Sequence, residues 1–343
     1  MIKRIIDYRD AVMHQYETGT DKGSEIGFHS LKDLITVKPG YTTYLIGFAA
    51  AGKTEFHLEM LFGLKEKYGW KHALLSPEIG SVEDVIAELI SKHLKKPFYK
   101  SNPFAPTEKQ VYDAMNELGE YFYPMDSDEN DYTVETFYAD CDKLEKDHKI
   151  KLNTTSLDPW NDLNEDLSTF GGREDKYLTW ALKKVRQDAK KKNRHNFIVT
   201  HAKDMPPIAL KSVNGGETYC TAVPTLQSFA GGQVWGRRAF NVIGVWRPEE
   251  GAINPAGGDA FDPNEAVILS LKSKPKGVGK KGKASLYFDW KTNRYYEWFN
   301  REKCYSFDYE TQVKILTAPT QPNNEVIKPS LLFTTTSNQK APF

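Results

Sequence analysis

From Ile26 onward the chain alternates short apolar runs, rich in β-branched and aromatic residues, with stretches in which apolar residues recur every third or fourth position. Tyr41–Ile46, His72–Glu78, Tyr121–Pro124, Leu152–Leu157 and Phe197–His201 read as strands. Residues 54–67, 82–94, 107–118 and 133–148 read as helices, and a further helix carries Leu178, Leu182, Val185 and Ala189. Two helix starts have a capping-box pattern, Ser81 with Asp84 and Thr107 with Gln110. Such alternation predicts an α/β fold, a mostly parallel sheet with helices on both faces. Residues from Ala202 to about Pro224 read as a long polar loop. Beyond it the pattern is strand only: Asn241–Trp246, Ala266–Lys272, and an antiparallel hairpin of Ala284–Trp290 with Arg294–Phe299.

The two ends differ from this core. Ile2, Ile5, Ile6, Val12, Met13 and Tyr16 form a helical stripe, which Gly19–Ser24 interrupts. A leashed amphipathic helix can fold back on its own domain or dock on a neighbouring subunit, and periodicity leaves both open. From about Thr317 the chain is rich in Pro, Thr, Ser and Asn, and is expected to lack fixed structure unless a partner orders it. The expected division is a leading helix over 1–25, a core over 26–302 and a tail over 303–343.

Composition narrows the function classes. The formal net charge of the 343 residues is zero, so no attraction to polyanions follows from the total. Locally the balance shifts: residues 126–147 are acidic, whereas Lys272, Lys274, Lys276, Lys280, Lys281 and Lys283 form a basic run. Cys141, Cys220 and Cys304 lie far apart without metal-ligand spacing, as expected for reduced thiols in a cytoplasm. The charged N-terminus has no uninterrupted apolar run, so neither a signal peptide nor a membrane span is expected.

The sharpest chemical signal is Gly47-Phe-Ala-Ala-Ala-Gly-Lys-Thr54, which fits G-x-x-x-x-G-K-[ST] at every fixed position. Glycines let successive N–H groups curl inward around phosphates, and a strand before and a helix after complete the context. Lys53 is expected at the β/γ-phosphates and the Thr54 hydroxyl at Mg²⁺. The nucleotide-binding set on this loop is Gly47, Ala49, Ala51, Gly52, Lys53, Thr54 and Glu55. ATP or another nucleoside triphosphate, with Mg²⁺, is the implied cofactor.

Hydrolysis needs a metal-side carboxylate and a group that activates water. Glu78 and Asp158 both end strands, where an open α/β sheet gathers its ligands. Asp158 fits the metal-side role and Glu78 that of the base, although either could be an ordinary strand-end residue. His201 also ends a strand and could sense the γ-phosphate or serve as a structural hydrogen-bonder.

Val37-Lys-Pro-Gly40, the phosphate loop, Gly69-Trp70, Ser76-Pro-Glu78, Asp158-Pro-Trp-Asn161, Thr200-His201 and Pro224-Thr225 with Gly231 follow one another in this order. Together they resemble the RecA-fold helicase domain of ring-shaped replicative DNA helicases of the DnaB and Twinkle type, the phage primase–helicases above all. The resemblance runs from about residue 1 to residue 300. It implies that Glu78 is the catalytic base, Asp158 the magnesium-side acid and His201 the γ-phosphate sensor. It also implies that the leading helix packs on the adjacent subunit of a hexamer.

The same resemblance implies a Lys-x-Arg pair acting across the subunit boundary. Lys272 matches the lysine, but Lys274 stands where the family has arginine, a point charge in place of a bidentate fork. Lys276 or Arg247, the latter also a nucleotide-binding candidate, could substitute. Phe288 falls near the family's base-stacking aromatic, and an ordinary core phenylalanine fits as well. Single-stranded DNA is the implied partner, gripped through loops 162–174 and 202–220 and the segment 231–238, with Lys203, Lys211, Arg237 and Arg238 as cations. Phe240 departs from the family's small acidic residue. Because the chain begins at the linker helix, primase is expected from a separate polypeptide, and a polymerase is a further expected partner. The implied activity is an NTP-driven, phage-like helicase motor of 5′→3′ polarity in a bacterial cytoplasm. A DNA-binding ATPase that does not unwind, or a small-molecule kinase, are the alternatives.

Overall fold

Period-two alternation along the central strands decides which helix packs on which face. The computed structural model describes residue 2, residues 4–127 and residues 131–317. Part of the acidic turn expected at Asp126–Asp131 and the tail from 318 onward lie outside the described residues. One compact unit runs from Met1 to Tyr309, and a second begins at Glu310.

In chain order the strands are β1 (Ser24–Glu25), β2 (Thr36–Val37), β3 (Thr42–Gly47), β4 (His72–Leu75), β5 (Phe122–Pro124), β6 (Thr154–Leu157) and β7 (His195–His201). They continue with β8 (Ile208–Lys211), β9 (Glu217–Cys220), β10 (Asn241–Trp246), β11 (Glu265–Lys272), β12 (Gly282–Asp289), β13 (Arg294–Phe299) and β14 (Glu302–Cys304). The helices are α1 (Arg9–Thr18), α2 (Lys53–Tyr68), α3 (Val82–Leu94), α4 (Glu108–Leu118), α5 (Val134–Asp147), α6 (Glu174–Lys192), α7 (Gln233–Arg238) and α8 (Asp308–Thr317). Both capping boxes form: Ser81 and Asp84 close the start of α3, Thr107 and Gln110 that of α4.

Ten strands make one sheet in the order β14-β13-β12-β11-β10-β3-β7-β6-β4-β5. Neighbours from β10 to β5 are parallel, and those from β10 to β14 are antiparallel. On β3, Leu45 joins the apolar layer of α2, α3 and α4, whereas Tyr44 and Ile46 join that of α5 and α6. On β7, Phe197 and Val199 take the first face and Ile198 the second.

Three stretches differ from the expectation. The supposed loop 202–224 contains the hairpin β8–β9, covering a small separate cluster of Cys220, Trp246, Ala252, Phe261 and Val267. Segment 231–238 includes the short helix α7. The boundary drawn at 302 falls at β14, whose Cys304 is buried and pairs with Glu297 of β13. The leading segment is helical, as its stripe indicates, but α1 buries none of its residues.

Candidate active site

Parallel strands align their carboxyl ends, and four of them converge here. Gly47 at the end of β3 lies opposite His201 at the end of β7. Asp158 directly follows β6, and Glu78 follows β4. After β3 the chain turns through left-handed conformations at Ala50 (φ 58°) and Gly52 (φ 83°), and α2 begins at Lys53. Gly52 is the N-cap and offers no side-chain acceptor, so the first-turn N–H groups are left for a ligand. A Cβ on Gly47 would meet the Val245 carbonyl at 2.5 Å, and one on Gly52 the Tyr295 hydroxyl at 2.6 Å. Space therefore fixes both glycines, and at Gly52 the left-handed conformation does so as well.

Lys53, 2% exposed, donates to the Phe48 carbonyl at 3.0 Å and lies 3.2 Å from His201 Nδ1. The other nitrogen of His201 stands 3.6 Å from Glu78 Oε2. Burial lowers the Lys53 pKa, and the Glu78 and Asp158 carboxylates oppose that shift. Lys53, His201 and Glu78 thus form a line at the mouth of the phosphate loop. Asn161 steadies it, accepting at Oδ1 from the Thr200 hydroxyl at 3.0 Å and from the His201 N–H at 3.4 Å. This role for Asn161 was not read from the sequence, although the residue closes the Asp-Pro-Trp-Asn motif.

Asp158 is 1% exposed, yet neither carboxylate oxygen has a hydrogen-bond partner among the described residues. A buried carboxylate left bare requires a cation to compensate it. Thr54, in the first turn of α2, brings a hydroxyl to the cavity beside the phosphate loop. A magnesium ion fits this donor set, with oxygen ligands only.

The cavity beside the loop measures about 560 Å³ and is lined by Thr54, Glu55, Glu78, Arg247, Phe288, Trp290 and Tyr295, among others. Phe288 is 7% exposed, with Trp290 and Tyr295 edge-on to it, whereas Trp290 is 65% exposed. Trp290 therefore offers the accessible ring face. It went unnoticed in the sequence, although it lies two residues beyond Phe288, just past the end of β12. Arg247 donates to the Pro263 carbonyl at 3.1 Å, with its guanidinium 5.8 Å from the Trp290 ring. Glu55 pairs with the fully buried Lys92 at 2.5 Å, and Glu88 lies 3.6 Å from the same ammonium. Burial raises the Glu88 pKa and the neighbouring Glu55 charge adds to it, while Lys92 opposes the shift.

Lys272 and Lys274 sit elsewhere, at a second cavity of about 670 Å³ that Arg237 and Lys281 also line, with no carboxylate on its wall among the described residues. Lys272 donates to the Gly236 and Ala239 carbonyls, each at 2.5 Å, and so closes the end of α7. Burial pushes its pKa down to about 8, and repulsion from Lys274 and Arg186 adds to the effect. Lys203 and Lys211 are exposed on other segments, and Arg238, half-buried at the end of α7, does not line this cavity, so of the four DNA-binding candidates only Arg237 joins it.

These features define a RecA-type phosphate-loop fold, and solved structures agree on it. The ATPase domain of G40P superposes with a TM-score of 0.64 at 14% identity, over 86% of this chain and 99% of that one. A DnaB-like replicative helicase, solved with its interactions with primase, gives 0.63 at 14% identity, over 86% of this chain and 67% of that one. In sequence the chain is similar to the Twinkle homolog protein, chloroplastic/mitochondrial, of Arabidopsis thaliana, 27% identical over 301 residues. That similarity covers 84% of this chain but only 39% of the relative's length. No family model matches the chain.

Proposed function

We propose that the chain is the nucleoside-triphosphate-hydrolysing motor of a ring-shaped replicative DNA helicase, moving 5′→3′ along single-stranded DNA. The observation that carries the reading is the Lys53–His201–Glu78 line beside the bare buried carboxylate of Asp158, at the mouth of an uncapped helix. Lys53 and the first-turn amides of α2 hold the β- and γ-phosphates of ATP or a related triphosphate. Glu78, about one-third exposed, takes the proton of the attacking water, and His201, in line between Glu78 and Lys53, reports whether the γ-phosphate is present. Thr54 and Asp158 would hold Mg²⁺, which when bound neutralises charge on the transferring phosphoryl group.

Assembly and partners follow from surfaces that the chain leaves uncovered. The stripe on the leading segment, with Ile5 at 92% and Tyr16 at 82% exposure, suits a groove on the next subunit of a hexamer. The basic cavity of Lys274, Arg237 and Lys281 suits the phosphates of a neighbour's nucleotide, completing each site in trans. Exposed Lys203 and Lys211, with half-buried Arg238, suit the backbone of a single DNA strand. A primase is the partner that the DnaB-like neighbour suggests. The three buried, unpaired cysteines suit a reducing bacterial cytoplasm, and among the described residues no helix is long and apolar enough to cross a membrane.

Unwinding of two forked duplexes, one with a 5′ tail alone and one with a 3′ tail alone, tests the reading. Triphosphate-dependent unwinding of the 5′-tailed substrate only is expected, with Lys53→Ala inactive. DNA-stimulated hydrolysis without unwinding would instead identify a DNA-binding ATPase, and hydrolysis indifferent to DNA would overturn both.

A further inference from the structure

The strand that presents Asp158 is built from hydroxyls. Thr154, Thr155 and Ser156 of β6 are all 0% exposed, and each has a polar partner. Thr154 Oγ1 lies 2.7 Å from His72 Nδ1, and Thr155 donates to Asn196 Oδ1 at 2.8 Å; both pairs join strands of the sheet. The third pair leaves the sheet. Ser156 Oγ lies 3.0 Å from Nε2 of His57, which sits on α2 one turn beyond Lys53 and is 1% exposed. The opposite ring nitrogen, Nδ1, faces Asp158 Oδ2 at 3.8 Å.

Chemistry selects the tautomer. A lone pair on Nδ1 would confront a carboxylate in a site shut off from water, whereas an N–H there points its dipole at the charge. Ser156 completes the arrangement by donating its proton to Nε2. The contact lies outside hydrogen-bond reach, so both Asp158 oxygens stay open to a cation while the dipole biases their orientation.

We propose that His57, with its tautomer fixed by Ser156, is a positioning residue that orients Asp158 toward the divalent cation of the nucleotide site. The inference rests on the reading of Asp158 as the metal-side acid. It couples the phosphate-loop helix to the metal carboxylate, a link that neither the phosphate-loop motif nor Asp-Pro-Trp-Asn contains.

The test is Mn²⁺ binding, followed by electron paramagnetic resonance, to the full chain with a non-hydrolysable triphosphate. His57→Leu, His57→Gln, His57→Asn and Asp158→Asn are compared with the unaltered protein. Loss of an outer ligand of this kind weakens metal binding by about 10–100-fold. His57→Leu and His57→Gln are expected to show that loss, because glutamine restores an amide only at the Nε2 position. His57→Asn places its amide at the Nδ1 position and should retain most of the affinity. Metal-free binding of a fluorescent nucleotide in EDTA should be the same in all, which a general disruption of the fold would not allow. Unchanged Mn²⁺ affinity in His57→Leu or His57→Gln, with Asp158→Asn impaired, overturns the proposal and leaves the site reading intact. Equal losses in the Asn and Gln variants assign His57 to packing alone and also overturn it. Should His57→Leu fail to fold, the Asn and Gln pair decides. Unchanged affinity in Asp158→Asn would overturn the metal-site reading, and this inference with it.

Discussion

Lys53 shows how one residue type serves two states. Its ammonium donates to the Phe48 carbonyl and feels the charges of Glu78 and Asp158. In the proposed reading the same charge would meet the β- and γ-phosphates. Lys53→Ala should reduce turnover by at least about 10²–10³-fold, the usual cost of one lost electrostatic contact to a transition state. Steady-state hydrolysis measures it, and turnover within tenfold of normal would remove Lys53 from the site. At this scale the sequence was most informative about placement where a spacing is diagnostic: the phosphate loop between β3 and α2, and the carboxylates just beyond the strand ends. It was least informative where a role depends on burial. Phe288 and Trp290 alternate identically along β12 and beyond, and only the covering by Trp290 and Tyr295 decides which ring is accessible. The role of Lys272 was likewise illegible, because α7, whose end it closes, begins after two glycines and contains a third.

Helices and strands here are joined by polar contacts as well as apolar layers. Arg294 of β13 donates to Glu59 of α2 through Nε at 2.9 Å and Nη2 at 2.8 Å, with both residues almost wholly buried. Glu59 also accepts the Tyr295 N–H at 3.1 Å, tying the phosphate-loop helix to the strand whose Tyr295 overhangs Gly52. Removing one partner strands a buried charge, so Arg294→Ala should cost about 3–5 kcal/mol by urea unfolding. A cost below 1 kcal/mol would show the pair to be dispensable. The sheet carries a second polar element, His72 and His195, which burial holds at pKa values of about 3 and about 4 against a usual 6.5. Because the unfolded chain binds these protons first, the stability contribution is complete above pH 6.5 and is lost progressively as pH falls toward 4. Each histidine adds up to about 1.4 kcal/mol per pH unit across that window. Urea midpoints from pH 7 to pH 4.5 should fall accordingly, and the fall should be shallower in His72→Asn. The central parallel strands and their helices were legible because alternation and capping boxes are strong local signals. Hairpin β8–β9 was not, since its strands pair only with each other and are largely exposed.

For the whole molecule, the question is what an isolated chain leaves incomplete. Helix α1 and the turn before it expose Ile5, Ile6, Val12, Met13 and Tyr16, so the stripe legible in the sequence is left uncovered by the described residues of its own core. If that stripe holds a ring together, Ile6→Asp with Met13→Asp should yield monomers in sedimentation without lowering the melting temperature of the core. A ring that persists would assign the stripe elsewhere. The proposed trans role of the Lys274 cavity allows a stricter test, because a head-to-tail ring joins two different surfaces at every interface. A Lys53→Ala subunit lacks its own phosphate lysine but keeps Lys274, and a Lys274→Ala subunit has the reverse. Mixed in equal amounts and reassembled at random, about a quarter of interfaces would pair an intact Lys53 with an intact neighbouring Lys274. Turnover should then approach about a quarter of the normal value, provided sites fire independently. A lysine serving the pocket of its own subunit predicts no recovery at all, since every chain would still carry one defect within a single site. Hydrolysis measured against the mixing ratio separates these outcomes, with a maximum at equal proportions only if Lys274 reaches across the boundary.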